Sequence, residues 1–415
     1  MILGNRPRLK IQHGPGSYRV MLQSLLHDAD TACEHERGSV EARLASFLNS
    51  SHAVHTPNCR SGIYFAVKHF IRPGQDVVMS PYTIADVVNM VIAAGGRPAF
   101  ADIDNRSCNL AVAALESSLT ENTGAVLVTH LHGVAAEIED ISRICKSRSV
   151  ALVEDVAQAF AATRNGKKLG TFGDAGVFSF GMYKNINTWF GGALVTNDER
   201  LATETRNALA SQPVQGRKML LMRLLKGALT DFVTAPLVFD LITRHLFCLG
   251  LTRDIRLINR FIETELDCSR VDQLPAHYLH TCRKQQLALL DQQLDTVETG
   301  NQQRRSCAEL YFECLADVPG LILPRRSEGD VYSVFPIQVS DRYGLLCHLL
   351  RQGCDVAAQH LKNCADLDSF SAFAAECPNS RFSAASVILL PTYPGYGQDQ
   401  ATRTIDAIKK WVSRT

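Results

Sequence analysis

Apolar residues in the first half of the chain come in short runs without alternation, and helical patterns separate these runs. The predicted strands are 76–80, 97–102, 125–129 and 150–153. Helices are predicted between them, at TIADVVNMVIAAGG, at 111–118 and at 138–146. An unbroken apolar run is typical of a strand buried on both faces, and alternation with helices is typical of a parallel sheet. The pattern therefore predicts an α/β fold with a mostly parallel sheet covered by helices.

The pattern differs at the two ends of the chain. Residues 1–35 are rich in Pro and Gly and predict an irregular arm, whereas Val40, Leu44, Phe47 and Leu48 mark one face of a helix from Ser39. Long helices over 285–310, a strand over 333–339 and a helix over 345–351 predict a second, smaller domain. We divide the chain into an arm (1–35), a large domain (36–265), and a linking helix with a small α/β domain (266–415).

Residues 213–265 form an atypical apolar block within the large domain. The block is rich in Leu, Met and Phe, and basic residues interrupt it too often for a simple bilayer span. It predicts a pair of amphipathic helices broken at Pro236. Two interpretations are open. The block is a dimer contact or a lid over a site, or its part 217–250 is an interfacial segment that reaches a membrane or a lipid-linked substrate.

Composition excludes several classes of protein. The 43 basic and 42 acidic residues give a net charge of +1, so no bulk electrostatic signal for nucleic-acid binding exists. The 13 cysteines include no Cys-x-x-Cys pair and predict thiols of a reducing compartment. The N-terminus has no apolar segment of a secretory signal. Together these features predict a cytoplasmic protein.

Polar residues follow three of the predicted strands, where ligands collect in parallel sheets. These are Pro81-Tyr82-Thr83, His130-Leu131-His132-Gly133 and Glu154-Asp155. Thr83 is an active-site hydroxyl or the cap of the next helix, and both interpretations are open. His130 and His132 have no third metal ligand nearby, so we interpret them as structural or substrate-lining and predict no metal site.

Lys184 gives this region its chemistry. It follows an apolar run that contains Ser179, and Asp155 and Gln158 follow an earlier buried strand. A lysine that forms a Schiff base, a carboxylate facing a pyridinium nitrogen and hydroxyl donors for a phosphate together suit pyridoxal phosphate. The turn at 57–62 precedes an apolar helix, and its Ser61 suits either a phosphate or an ordinary helix cap.

The stretches EDVAQAF, NGKKLGTFGDAGVFSF and KNINTWFGGALVTND resemble the DegT/DnrJ/EryC1/StrS aminotransferases, a branch of the fold-type I pyridoxal phosphate enzymes. The resemblance covers residues 36–200, is weaker over about 270–415, and fails over 213–265. It implies a large cofactor-binding domain with a smaller C-terminal domain. It also implies a homodimer in which each site borrows residues from the partner chain.

The resemblance implies roles for individual residues. Lys184 becomes the Schiff-base lysine, Asp155 the partner of the pyridinium nitrogen, Gln158 a ligand of the ring oxygen and Ser179 a phosphate ligand. The Ser-Gly-Thr phosphate turn of the family aligns with residues 59–61. Ser61 stands at the family's threonine and keeps a hydroxyl there. Arg60 stands at the family's glycine and adds a cation for the phosphate or the substrate.

The chain departs from the family at three places. Ile84 stands where an aromatic residue commonly stacks on the cofactor ring, and Trp189-Phe190 replaces a Gly-Glu pair after the lysine. The Asn-Tyr-Arg segment that reaches the phosphate of the partner chain has no clear counterpart. We name His277, Tyr278 and His280 as candidates to replace it.

The activity implied by the resemblance is amino transfer from an amino acid, glutamate in most relatives, to a keto group. The acceptor in such relatives is a nucleotide-linked keto-sugar for glycans or natural products. Two alternatives are open. Because the block at 213–265 is atypical, one is an aminotransferase for a non-sugar or lipid-like ketone. Because of the departures at Ile84 and Trp189-Phe190, the other is a regulatory protein that binds pyridoxal phosphate with little turnover.

Overall fold

The computed structural model describes residues 5–14, 16–26, 34–252, 268–358 and 360–414. Parts of the predicted arm (1–4, 15 and 27–33) and of the apolar block (253–265) lie outside these ranges. The described strands are β1 (His52–Thr56), β2 (Asp76–Met79), β3 (Tyr82–Thr83), β4 (Arg97–Phe100), β5 (Thr123–Thr129), β6 (Ala151–Asp155), β7 (Thr163–Arg164), β8 (Lys167–Lys168), β9 (Ala175–Ser179), β10 (Gly192–Thr196), β11 (Phe335–Gln338), β12 (Ala357–Ala358), β13 (Lys362–Asn363) and β14 (Val387–Leu390).

Helices surround these strands. They are α1 (Ser17–Leu26), α2 (Glu34–Leu48), α3 (Cys59–Phe70), α4 (Ala85–Ala93), α5 (Val112–Ser118), α6 (Ile138–Arg148), α7 (Glu199–Ala210), α8 (Arg217–Val233), α9 (Pro236–Val238), α10 (Arg244–Thr252), α11 (Lys284–Leu294), α12 (Val297–Leu315), α13 (Arg342–Arg351), α14 (Pro378–Ser386) and α15 (Gln398–Val412). A π-helical stretch, Phe239–Thr243, joins α9 to α10.

The main sheet has seven strands in the order β1-β10-β9-β6-β5-β2-β4. The five strands from β9 to β4 are parallel, and β10 runs antiparallel to both β9 and β1. The α/β fold with a mostly parallel sheet is therefore confirmed. Because parallel strands end at one edge, the residues after β2, β5, β6 and β9 meet there.

An apolar core covers each face of this sheet. One packs α2 and α6 against it through residues such as Leu44 and Ile141, and the other packs α3 and α4 through Ile63 and Val88. All four side chains are fully or almost fully buried. Burial on both faces explains why the strand sequences do not alternate between apolar and polar residues.

Residues beyond α12 build a second sheet, of three antiparallel strands in the order β11-β14-β12. Helices α12, α13 and α15 cover it with a separate apolar core that includes Tyr311, Leu345 and Ile405. The two-residue strand β13 pairs with β3, which lies directly after β2 of the main sheet. This pairing brings the loop before β13 to the carboxyl edge of the main sheet.

The N-terminal residues are more ordered than the sequence predicts. A helix, α1, forms where we expected an irregular arm, so that expectation was wrong for these residues. The buried Met21 of α1 shares a core with Trp189, Phe190 and Leu224 of α8. Contacts with distant residues thus stabilise α1, and such contacts leave no local pattern in the sequence.

The described part of the apolar block folds as the predicted helix pair with its break at Pro236. The axes of Arg217–Val233 and Pro236–Gly250 differ by 63°. Among the described residues no single helix is long and apolar enough to cross a bilayer. The bent pair taken together does have the length and composition of a span.

Candidate active site

The carboxyl edge of the main sheet contains a cavity of about 200 Å³. Residues from four segments of the main sheet region and from the small domain line it: Thr83, Ile84, Val87, Thr129, Leu131, Asp155, Ala157, Gln158, Lys184, His360 and Leu361. Four of the predicted site residues therefore meet in one place, namely Lys184, Asp155, Gln158 and Ile84. The other three, Ser179, Ser61 and Arg60, do not line this cavity.

Glu154 and Asp155 play different parts although they are adjacent. The Glu154 carboxylate accepts hydrogen bonds from the backbone N–H groups of Gly170, Phe172 and Gly173 at 2.7–2.9 Å. Successive side chains of a strand point to opposite faces, so Asp155 faces the cavity instead. Glu154 therefore fixes the 170–173 turn, and Asp155 is the one acid among the described residues that line the cavity.

His130 completes the support of Glu154. Its Nδ1 accepts the Ala136 N–H at 3.1 Å, so the other ring nitrogen, Nε2, carries the proton and donates to Glu154 at 3.2 Å. Both ring nitrogens are occupied, which agrees with the structural interpretation of this histidine. Within the described ranges no three metal-binding side chains cluster together.

Asp155 and Lys184 influence each other across the cavity. Burial raises the pKa of the Asp155 carboxyl, while the Ala157 N–H at 2.9 Å and the charge of Lys184 lower it. Burial lowers the pKa of the Lys184 amine, and Asp155 is the main group that opposes this shift. The lysine is thus closer to its neutral, nucleophilic form than a solvated lysine is at neutral pH.

Gln158 is held in one orientation by the chain. Its Oε1 accepts the backbone N–H of His132 at 2.8 Å, so the amide NH₂ group points the other way. His132 has a left-handed φ of 62°, and burial lowers the pKa of its imidazole to about 3. Gln158 therefore offers a donor within the cavity, next to a neutral histidine.

His360 was not predicted from the sequence. It lies between β12 and β13 of the small domain and lines the cavity opposite the main sheet. Burial and the nearby charge of Lys184 lower the pKa of its imidazole to about 4, so the ring is neutral at physiological pH. In the sequence it is only a histidine in a loop. The pairing of β13 with β3 is what brings this loop to the cavity.

The start of α3 is not capped by Ser61. Asn58 is the N-cap, because its Oδ1 accepts the Ser61 N–H at 2.9 Å. The Ser61 hydroxyl donates to the Asn58 carbonyl at 3.0 Å and is fully buried. The expected cap by Ser61 was therefore wrong, and a role of its hydroxyl at a phosphate stays a prediction.

Arg60 belongs to a cluster beside α3. It forms an ion pair with Asp86, and its guanidinium lies 4.4 Å from the centre of the Tyr278 ring. The Tyr278 hydroxyl donates to the same Asp86 carboxylate at 3.2 Å. The structure thus joins two residues that the sequence analysis treated separately, the predicted cation Arg60 and the candidate phosphate-side residue Tyr278.

Thr83, Ile84 and Ser179 occupy different positions around the lysine. Ile84 is the N-cap residue of α4 without a side-chain hydrogen bond, and both Ile84 and Thr83 line the cavity. Thr83 therefore lines the candidate active site and does not cap α4. Ser179 ends β9, and its role at a phosphate stays a prediction.

Trp189 and Phe190 do not contact the cavity. Trp189 is fully buried, its Nε1 donates to Ser17 Oγ at 2.8 Å, and its ring packs on Tyr18 at 4.8 Å between centroids. The departure from the family pattern at this pair thus serves the packing of the arm and of α8. It does not alter the lining of the site.

A sequence profile described as the DegT/DnrJ/EryC1/StrS aminotransferase family matches residues 22–224 and 283–409. These matches cover most of the chain. The chain belongs to this family. The gap in the match, 225–282, contains much of the apolar block, where the resemblance read from the sequence also failed.

Relatives and solved structures agree with the family assignment. The chain is 35% identical over 167 residues to the spore coat polysaccharide biosynthesis protein SpsC of Bacillus subtilis, covering 40% of this chain and 43% of SpsC. It is 25% identical to a dTDP-3-amino-3,6-dideoxy-alpha-D-galactopyranose transaminase of Aneurinibacillus thermoaerophilus, over 89% of this chain and 88% of that protein. The match to SpsC thus spans less than half of either protein.

The fold agrees over nearly the whole length. The structure of PseC from Helicobacter pylori, an aminotransferase involved in the biosynthesis of pseudoaminic acid, superposes with a TM-score of 0.75. That comparison covers 99% of this chain and 100% of PseC at 20% identity. The fold-type I architecture predicted from the resemblance is confirmed.

The residues of the cavity fit pyridoxal phosphate at the ring end. A primary amine and a buried carboxylate face one space, a fixed amide donor lies beside them, and Ile84, Val87 and Leu131 supply apolar contacts. This donor set is what the cofactor requires: an amine for its carbonyl carbon, an anion for its ring nitrogen and apolar surface for its ring. The fit rests on Lys184, Asp155 and Gln158.

Proposed function

We propose that this protein is a pyridoxal phosphate-dependent aminotransferase that moves an amino group from an amino acid to a nucleotide-linked keto-sugar. One observation carries the proposal. Lys184, Asp155 and Gln158 line a single cavity at the carboxyl edge of the sheet. Membership in an aminotransferase family and the names of the relatives, which include a transaminase for a dTDP-linked sugar, support the same reaction.

The residues divide the work as follows. Bound pyridoxal phosphate supplies a carbonyl carbon for amines and a ring that accepts the electrons of a carbanion. Lys184 holds the cofactor through its amine and, once released, carries the proton from the α-carbon of the donor. Asp155 holds a proton at the ring nitrogen, and Gln158 donates to the ring oxygen. We assign Ser179, Ser61 and Arg60 to the phosphate side.

Asp155→Asn tests the role of the carboxylate. Asparagine can still accept the Ala157 N–H that Asp155 accepts at 2.9 Å, so the loop should keep its shape. The neutral amide cannot hold a proton at the ring nitrogen. We expect kcat/KM to fall by about 100-fold with an unchanged circular dichroism spectrum. A kcat/KM that stays within about twofold of wild type would remove Asp155 from the mechanism.

His360→Gln tests the residue from the small domain. Glutamine is neutral and hydrogen-bonding, like the histidine, whose pKa is about 4. If His360 positions the acceptor, KM for the keto substrate should rise by about tenfold while kcat changes less. The matched control is His348→Gln on α13, which replaces a histidine whose Nε2 bonds to the Ala407 carbonyl. Equal KM values for both variants would contradict the assignment.

The identities of the donor and of the acceptor need separate tests. We propose glutamate as the donor, and rapid mixing of the cofactor-loaded enzyme with single amino acids should show the fastest spectral change with glutamate. The reduced, amino form of the cofactor on the enzyme is then offered a nucleotide-linked keto-sugar or an aliphatic ketone. Recovery of the original spectrum identifies the acceptor. Recovery with the aliphatic ketone alone would replace the sugar by a lipid-like substrate.

We also propose that the enzyme is a homodimer of the cytoplasm. All twelve cysteines within the described ranges are free thiols, which supports a reducing compartment. Light scattering of the purified protein measures the number of chains. A monomer with full activity would exclude a site that is shared between two chains.

A further inference from the structure

The bent helix pair exposes many large apolar side chains. Of the sixteen large hydrophobic residues that are exposed in the described part of the chain, ten lie between residues 221 and 249. We call them the apolar face: Leu221, Met222, Leu225, Leu229, Phe232, Leu237, Leu241, Ile242, Leu246 and Leu249. Such a concentration on one surface marks an interaction site rather than scattered surface leucines.

The opposite side of the same helices is already packed against the protein. Leu220, Leu224 and Gly227 form the inner stripe of α8 and contact the Trp189 core. Asp231 also turns inward, where it binds His13 Nε2 at 2.8 Å and the Tyr18 hydroxyl at 2.5 Å. The helices therefore cannot roll over to bury the apolar face within this chain.

The exposed charged side chains on the described residues of α8–α10 all have one sign. The charged side chains of α8–α10 that are exposed are Arg217, Lys218 and Lys226. Of the two acids of these helices, Asp231 is partly buried and bound to the arm, and Asp240 is buried. A leucine-rich helix surface with basic flanks is the pattern of segments that lie on anionic lipid.

We propose that the apolar face docks on the surface of an anionic membrane. The packed inner stripe fixes the helices parallel to the protein surface, so contact is peripheral. A second copy of the chain fits less well, because the exposed charges that α8–α10 of each copy would bring to a symmetric contact are all basic. The proposal goes beyond amino transfer and does not rest on it.

Docking would place the active site close to the lipid. Tyr183, the neighbour of Lys184, is exposed and its hydroxyl lies 3.5 Å from Thr230 Oγ1 on α8. The loop that carries the lysine thus adjoins the apolar face. A membrane-bound acceptor would need to travel only a short distance to reach it.

Sedimentation with vesicles tests the proposal on the full-length protein. Wild type should pellet with vesicles of phosphatidylcholine and phosphatidylglycerol, more weakly with phosphatidylcholine alone, and less at high salt. The triple variant Leu221→Ser/Leu225→Ser/Leu229→Ser should lose at least about tenfold in vesicle affinity. Lys218→Glu/Lys226→Glu should lose affinity only for the anionic vesicles.

Controls separate membrane docking from other effects of the substitutions. Phe382→Ser, at an exposed apolar residue of α14, should bind vesicles like wild type, and all variants should keep the wild-type circular dichroism. Wild type that stays in the supernatant with anionic vesicles would overturn the proposal. So would a triple variant that changes from dimer to monomer by light scattering without any change in vesicle binding, since the apolar face would then be a subunit contact.

Discussion

Lys184→Ala is expected to abolish amino transfer and the visible absorbance of the bound cofactor. The variant loses both the amine that holds the cofactor and the group that moves the proton at the donor carbon. These losses should lower kcat by at least about 10⁴-fold. Steady-state transfer from glutamate and the absorbance spectrum of the protein loaded with pyridoxal phosphate measure the two effects separately.

A second lysine provides the matched control for this variant. Lys168 is also partly buried, burial lowers the pKa of its amine, and it lies 3.5 Å from the centre of the Phe47 ring, outside the cavity. Lys168→Ala should keep activity within a few-fold of wild type. Partial recovery of Lys184→Ala by added methylamine would show that the missing function is an amine. A visible absorbance band that survives in Lys184→Ala would contradict the assignment of the lysine.

The main sheet could be predicted because its strands are buried on both faces. The predicted strand 125–129 begins with four apolar residues in a row, and β5 extends only two residues further towards the N-terminus, at Thr123. Helix boundaries were harder when a side chain decided them. We placed the start of the helix after the 57–62 turn, whereas the Asn58 side chain caps α3 so that it begins at Cys59.

The site was predictable where its residues follow strands of the main sheet. Asp155, Gln158 and Lys184 are close in the sequence, and the carboxyl edge of a parallel sheet brings such residues together. His360 could not be found in this way, because it reaches the cavity only through the pairing of β13 with β3. Pairing between strands so far apart leaves no periodic signal in the sequence.

Trp189 is a second case in which contacts between distant segments could not be predicted from the sequence, here in the core. The sequence marked Trp189-Phe190 only as a departure from the family pattern. The structure instead surrounds Trp189 with Tyr18 of α1, His13 of the arm and Gly227 of α8. A local motif cannot show this, since the three partners come from segments that the family pattern does not describe.

Trp189→Ala is expected to lower the free energy of unfolding by about 3–5 kcal/mol, the usual cost of emptying a buried aromatic site. The arm and α8 should detach first, because the tryptophan ring contacts both. Urea unfolding measures the stability, and limited proteolysis measures release of the arm. Trp411→Ala, at the other tryptophan, which is only partly buried in the small domain, should leave the arm protected. Equal arm cleavage in both variants would contradict the role of Trp189.

Gly227 allows a sharper test of the same contact, because the sign of its effect should reverse. A Cβ at residue 227 would lie 2.3 Å from the Trp189 ring, so Gly227→Ala should destabilise the wild-type protein. Without the tryptophan the clash is absent, and alanine is a better helix former than glycine by about 1 kcal/mol. Gly227→Ala should therefore stabilise the Trp189→Ala variant. A double-mutant cycle measured by urea unfolding gives the coupling between the two positions. If the changes in the free energy of unfolding were additive, α8 would not pack on Trp189. The inner stripe would then not be what keeps the apolar face exposed.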